Sequence, residues 1–506
     1  MSDTSSLLGA RKVALSALRA IRTRHSFVNL LLPGLLSQAQ LSARDAAFCT
    51  DMVYQTLRWQ GFLDALIDAL TAKKPAKAST SGAASVVDST KQASKSASLL
   101  DADVRDILRL GLTQLLLLDV AAYAVVTTSV ELARHTPHAH RATGLINATL
   151  RRASERSRKE WEAILTSRIP RSQHDARLSV RYSHPKWIIR KLRESFAATN
   201  PQMSEEEREK QLEEILRADN LPAPLTLCAR PGLVAPADLA NQITDRAPEA
   251  HVEKGLWSPY ALRVSGIDPG TLAAVKNAKA GVEDEGSQLV ALTLAAAQSQ
   301  ASSDNLWLDL CAAPGGKTAL LGALAQLKGA TIRANEKNPT RAKLVAHNVA
   351  ALKDETIDAI TVLDGREYAR AKQGQFSRVL VDVPCSGLGA LRRRPEARWS
   401  KKSEEIDELI GLQKQLLNAA IDATLPGGVI LYSTCSPVVE ETRAVVDACV
   451  NSRDDVQRLD AAQVLSTVVG ENSLKLAHGD VQLFNIDTDM MFMSLLRKVV
   501  PQSPAE

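Results

Sequence analysis

Asn305-Leu306-Trp307-Leu308-Asp309-Leu310-Cys311-Ala312-Ala313-Pro314-Gly315-Gly316-Lys317-Thr318 is the stretch that decides the fold. An apolar run stops at an acid, a loop of small residues and paired glycines follows, and a helical run begins at Lys317. Small residues between a strand and a helix let a ligand approach the backbone closely. Four more apolar runs stop at polar or small residues: ATIRANEKN (330–338), DAITVLDGR (358–366), SRVLVDVPC (377–385) and GGVILYSTCS (427–436). Helical stretches are read at 317–328, 339–352, 403–424 and 438–450. The alternation predicts an α/β domain over 281–500 with a doubly wound, mainly parallel, Rossmann-like sheet.

Ligands of such a sheet bind beyond the carboxyl ends of its strands, so the residues there are the candidates for chemistry. The 311–318 loop admits two readings. It is a degenerate P-loop, GxxxxGK[ST] with Cys311 at the first glycine position and Asp382 as a magnesium partner, or it is a nucleoside-cofactor loop. An L-residue at position 311 resists the tight turn around phosphates. Glu336 follows Lys317 by 19 residues, where an acid accepts from both ribose hydroxyls, and Asp364 is placed to accept from an adenine amino group. The fourth and fifth strands each end at a cysteine, Cys385 and Cys435, with Asp382 beside the first. The thiolate is the reactive form, and an electropositive site lowers its pKa; Lys317, Arg392, Arg393 and Arg394 are the groups that would supply that field. Cys49, Cys228 and Cys449 read as inert small hydrophobes.

Ahead of this domain the pattern changes. In ARKVALSALRAI (10–21), Val13, Leu15, Leu18 and Ile21 recur at helical spacing, and periodicity continues over 43–70, 100–134 and 144–165. Residues 1–170 therefore read as one all-helical domain. Residues 71–98, rich in Ala, Ser, Lys and Thr, read as a disordered insertion within it. Residues 171–280 read as a basic connector and a small α/β subdomain, with an acidic, exposed helix at 203–217.

The 506 residues carry 62 Lys and Arg against 57 Asp and Glu, a net charge of +5, with 45% hydrophobic residues. Such figures exclude a disordered or collagenous chain. The charge is uneven: residues 1–200 hold 29 basic against 16 acidic residues, and residues 201–506 hold 33 against 41. A basic front half implies an anionic partner. Six scattered cysteines make no disulfide framework, and no CxxC or CxxH spacing points to a metal. With no signal-peptide pattern and no apolar run of membrane-spanning length, a cytoplasmic location is expected.

LDLCAAPGGKT (308–318), DVPCSGLGALRRRPEARW (382–399) and YSTCS (432–436) closely resemble the RsmB/Sun family of RNA 5-methylcytosine methyltransferases. VEDEGSQL (282–289) is similar to the family segment entering the catalytic domain. RDAAFCTDMVYQTLR (44–58), LRLGLTQLLLL (108–118) and GLINATLRR (144–152) resemble the NusB-like RNA-binding domain that precedes it, and RYSHPKWIIRKL (181–192) also fits. The resemblance implies a multidomain protein, all-α NusB-like and then α/β. It implies S-adenosylmethionine held by Cys311, Ala312, Ala313, Pro314, Gly315, Gly316 and Lys317, with Glu336 at the ribose, Asp364 at the adenine and Asp382 between cofactor and base. Cys435 matches the nucleophile, Cys385 the cysteine that assists product release, and Lys317 and Asp382 complete the catalytic set. Arg392, Arg393, Arg394, Arg151 and Arg152 are the expected grips on RNA phosphate.

The implied substrate is 16S rRNA, free or in an early small-subunit precursor, acted on by a monomer without metal or membrane. The alternatives are the same chemistry on tRNA, a non-catalytic RNA-binding or antitermination protein, and a P-loop NTPase. Two departures stand out: Met490 and Met491 where relatives often carry Gly, and Arg394 where His is common.

Overall fold

A computed structural model describes residues 3–24, 26–72, 100–469, 474, 478–484 and 486–499. The insertion read at 71–98 thus lies almost wholly outside the described residues. The chain divides into two units. One comprises 1–190, 209–221 and 391–400; the other comprises 191–208, 222–390 and 401–506.

The first unit is helical. Its helices Asp3–Arg24, Ala43–Arg58, Gln60–Thr71, Ala102–Leu116, Ala122–Arg134 and Thr143–Ala153 enclose Leu15, Leu18, Met52, Leu63, Leu66, Ile107, Leu112 and Leu150. Local signals start the helices: Ser42 accepts from the Asp45 amide, Asp101 from the Asp103 amide, and Ser157 with Glu160 closes a capping box. Two distant segments return to this unit. The helix Glu205–Ala218, read as exposed, buries Leu212, Ile215 and Leu216, one face at i, i+3, i+4. Segment 391–400 is anchored by Arg398, a fully buried guanidinium donating to the carbonyls of Arg58 (3.0 Å), Ser183 (3.4 Å) and Asp219 and to Asn220 Oδ1 (2.6 Å). Trp399 Nε1 adds a bond to the Leu57 carbonyl at 3.1 Å.

The second unit contains two sheets. Strands β1 (Leu225–Ala229), β2 (His251–Lys254), β3 (Ala261–Ser265) and β4 (Ala280–Val282) form an antiparallel sheet in the order β2-β3-β1-β4. The helix Pro236–Arg246 packs Leu239 and Ile243 with Leu227, Leu262 and Val264 of this sheet.

The larger sheet contains β5 (Leu306–Asp309), β6 (Thr331–Asn335), β7 (Ile357–Thr361), β8 (Phe376–Asp382), β9 (Thr424–Thr434), β10 (Val456–Leu459), β11 (Val481–Gln482) and β12 (Phe492–Lys498). Its order is β10-β12-β9-β8-β5-β6-β7, with β11 paired to β12. Strands β5 to β9 are mutually parallel, as the alternating pattern predicts, while β12 runs antiparallel to β9 and to β10. The chain steps outward from β5 to β7 and then crosses back to β8. The reversal lies between β5 and β8, so a crevice opens at the ends of Asp309 and Asp382.

Candidate functional site

The loop after β5 is shaped by hydrogen bonds to its neighbours. Leu310 N donates to Leu380 O and Ala312 N to Asn335 O, both at 2.9 Å, and Asn348 and Arg341 side chains each hold a loop carbonyl at 2.9 Å. Gly315 has φ 107°, and a Cβ there would lie 2.8 Å from Val345 Cα, so only glycine fits before the helix Gly316–Leu327. Thr318 Oγ1 donates to the buried Asp309 carboxylate at 2.7 Å. The hydroxyl that a P-loop would turn to magnesium is therefore bonded inward.

Glu336 lies just past β6, its carboxylate accepting from Ala313 N (3.3 Å) and Asn338 N (2.9 Å). Asp364 caps the short helix Gly365–Arg370 and also binds the Arg366 guanidinium (2.7 Å) and Lys337 Nζ (3.0 Å). The Arg366 hydrogen bond outweighs the upward push of burial and, with the Lys337 bond, holds its carboxyl far below the usual range. A ligand amino group at Asp364 would have to exchange with one of those cations.

Lys317 Nζ pairs with Asp382 Oδ2 at 2.9 Å and reaches Ser287 Oγ at 3.2 Å, while Ser433 Oγ donates to Asp382 Oδ1 at 2.8 Å. Burial alone would lower the Lys317 pKa, but Asp382 and Glu283 outweigh it and hold the ammonium charged. Glu283 is buried against the Gly316 backbone, and its Oε1 has no hydrogen-bond partner. Burial pushes Glu283 up to about 7 and Asp309 likewise to about 7.

The two strand-end cysteines meet: Cys385 Sγ and Cys435 Sγ are 3.5 Å apart. Gly389 packs against the Cys435 backbone, its amide donating to Cys435 O at 2.9 Å and its carbonyl accepting from Met490 N at 2.9 Å. The Met490 segment thus buttresses the Thr-Cys loop, in a place where a Cβ on Gly389 would fall 2.4 Å from Met490 O. One expectation is reversed. The hydrogen bond with Cys435, then burial, then the charges of Cys435, Glu441 and Asp382, push the Cys385 thiol well above its ordinary value. Burial does the same to Cys311.

Arg392, Arg393 and Arg394 belong to the helical unit, where the Arg394 guanidinium lies 5.2 Å from the Phe27 ring centroid and the Arg392 carbonyl accepts from Arg58. Arg151 is exposed with Nε on Asn147 Oδ1 at 3.2 Å, and Arg152 reaches the Leu70 carbonyl at 2.6 Å. Glu283 and Ser287 of VEDEGSQL and Ser433 of YSTCS join the site although sequence reasoning gave them no role, and Glu441 joins it from outside the quoted motifs. The glutamates sit in acidic runs, VEDE and VVEE, that look like solvated charge. Among the described residues no group of three or more His, Cys, Asp or Glu could hold a metal ion, and no helix is long and apolar enough to cross a membrane.

Residues 296–497 match the family model described as 16S rRNA methyltransferase RsmB/F, and residues 8–87 and 89–155 match that of the NusB family. The chain is 39% identical over 496 residues to a putative methyltransferase of Mycobacterium tuberculosis, covering 97% of this chain and 96% of the relative. It is 31% identical to ribosomal RNA small subunit methyltransferase B of Vibrio cholerae, covering 89% and 91%. The crystal structure of PH0851 superposes with a TM-score of 0.71 at 19% identity over 98% of this chain and 99% of that one, a likeness of fold.

Proposed function

The chain belongs to the RsmB/F family of 16S rRNA methyltransferases, and from that premise we propose that it methylates carbon 5 of a cytosine in 16S rRNA through a covalent bond to Cys435. The observation that carries the reading is the pair of sulfurs, Cys385 and Cys435, 3.5 Å apart beside the Lys317–Asp382 ion pair. Carbon 5 of cytosine is a poor nucleophile. Addition of the Cys435 thiolate to carbon 6 breaks aromaticity and moves the electron pair to carbon 5. A proton taken up from solvent and held between ring nitrogen 3 and Asp382 offsets the charge that develops on the ring, and Lys317 fixes the Asp382 carboxylate. Once a water molecule has taken the proton of carbon 5, that electron pair restores the ring double bond and Cys435 leaves as a thiolate. Cys385, kept as a thiol, is placed to assist that release.

S-adenosylmethionine supplies the methyl group when bound. The glycine turn at Gly315, the unpartnered buried oxygen of Glu283 and the carboxylate of Glu336 suit a cationic nucleoside ligand. The 311–317 backbone, Glu336 and Asp364 are the groups that would hold it. The base must leave its stack to reach the cysteines, and Arg151, Arg152 and Arg392–Arg394 are assigned to RNA phosphate.

The test is bisulfite mapping of rRNA and tRNA from a deletion strain. One cytosine of 16S rRNA should lose its protection and regain it on complementation with wild-type protein but not with Cys435→Ala. A full set of protected rRNA cytosines in the deletion strain, or a lost tRNA site instead, refutes the substrate assignment. In vitro, S-adenosylmethionine should raise the melting temperature and Mg-ATP should not.

A further inference from the structure

Glu441 is fully buried and ends the short turn Val439–Glu441 that follows the Thr-Cys loop. Its Oε1 accepts from the Ser386 amide at 2.7 Å and from Gln413 Nε2 at 3.1 Å. Its Oε2 accepts from Ser386 Oγ at 2.5 Å and Ser436 Oγ at 2.6 Å. A carboxylate offers about four lone-pair sites, and all are taken by neutral donors. That is how a buried charge is tolerated without a cation on it. Tyr432 of β9 adds a bond to the Glu441 carbonyl at 2.6 Å, and Gln413 also binds the Pro384 carbonyl at 2.9 Å. Ser386 directly follows Cys385 and Ser436 directly follows Cys435. One carboxylate therefore grips the residue after each reactive sulfur, from two different strands.

We propose that Glu441 is the positioning residue of the cysteine pair, holding the β8 and β9 loops on one carboxylate so that the Cys385 and Cys435 sulfurs face each other. The assignment rests on the cysteine chemistry proposed for the same site. An ordinary buried cap would bind one loop; this one binds both, at the two positions that set where the sulfurs point. Its negative charge also counts, after the Cys435 hydrogen bond, burial and the Cys435 charge, among the causes that keep Cys385 a thiol. Of the two sulfurs, Cys385 is thereby retained as a thiol.

The test uses the full-length protein in three variants. Glu441→Ala removes the strap. Glu441→Gln keeps its volume and removes its charge. The Ser386→Ala/Ser436→Ala double variant removes the hydroxyl arms and keeps the carboxylate. Diamide takes two electrons and two protons from a pair of adjacent thiols, so the rate at which a Cys385–Cys435 disulfide forms shows how the sulfurs face. That rate should fall about tenfold in Glu441→Ala and in the serine double variant. In Glu441→Gln the pH midpoint for alkylation of Cys385 by iodoacetamide should move down, and kcat should fall about tenfold with KM for RNA within about twofold. Wild-type disulfide rates together with an unmoved alkylation midpoint overturn the proposal. Should Glu441→Ala not fold, Glu441→Gln and the serine variant decide between the same two outcomes. These two readouts need no RNA, so they judge the positioning claim even if wild-type protein forms no adduct with 5-fluorocytosine RNA, the outcome that would sink the cysteine chemistry itself.

Discussion

In the helical unit Arg109 lies between Asp64 and Asp106, at 2.7 and 2.8 Å, while in the α/β unit Lys317 lies between Asp382 and Ser287, at 2.9 and 3.2 Å. The first network spreads through Arg105 to Asp68 and through Arg22 to Asp103, tying helices together. Among the described residues, none of the carboxylate oxygens in it is buried without a partner. Around Lys317, Glu283 Oε1 and Asp309 Oδ1 are both buried and without one. Charge that is fully satisfied holds elements in place. Charge left partly unsatisfied in a crevice keeps capacity for a ligand or a proton.

If that contrast is right, mutations in the two places should fail differently. Lys317→Met should lower the methylation rate about a thousandfold, the loss expected when a preorganised charge is taken from a reacting centre, with the protein still folded by circular dichroism. Asp106→Ala should instead cost the helical unit about 2 kcal/mol, because it takes a buried carboxylate from Arg109 and Arg22 and leaves them Asp64 and Asp103. Denaturant titration would measure that loss, and S-adenosylmethionine binding by the folded fraction should be unchanged. A drop in stability from Lys317→Met as large as that from Asp106→Ala would erase the distinction.

Smaller in size, and specific in sign, is the effect of pH. Burial holds Glu283 and Asp309 protonated up to about 7. Unfolded carboxyls release their protons near pH 4, so between about pH 4 and 7 the folded α/β unit binds more protons than the unfolded chain. The associated stability is complete below the unfolded value and is lost as pH rises through about 7. The melting temperature should therefore be higher at pH 5.5 than at pH 8, and Glu283→Gln should shrink that gap by about 3 °C. A gap unaltered in Glu283→Gln would show that its carboxyl is not held protonated by burial.

The same contrast explains what was legible in the sequence. Strands β5 to β9 could be read because each is an apolar run stopping at a polar or small residue, and the stopping residues are the site. Strands β10 and β12 could not: VQRL and FMSLLRK carry no turn glycine and no site residue, and their antiparallel pairing depends on β9. Segment 391–400 reads as an extension of the Cys385 loop because it is contiguous with it. Its side-chain contacts show that it folds with the helices: Arg398 with its acceptors at Arg58, Ser183, Asp219 and Asn220, and Trp399 with the Leu57 carbonyl. Glu283 and Glu441 were hidden for a different reason. A glutamate beside other acids gives no sign in one dimension that its neighbours in space are a helix start or a pair of serines.

Whether Cys435 attacks the base is tested most directly by mass spectrometry of the protein incubated with S-adenosylmethionine and 16S rRNA fragments containing 5-fluorocytosine, whose fluorine blocks release from carbon 5. A stable protein–RNA adduct at Cys435 is expected in wild type, with its retention in Cys385→Ser and its absence in Cys435→Ser. An adduct that persists in Cys435→Ser, or one mapped to Cys385, would contradict the assignment of Cys435 as the nucleophile.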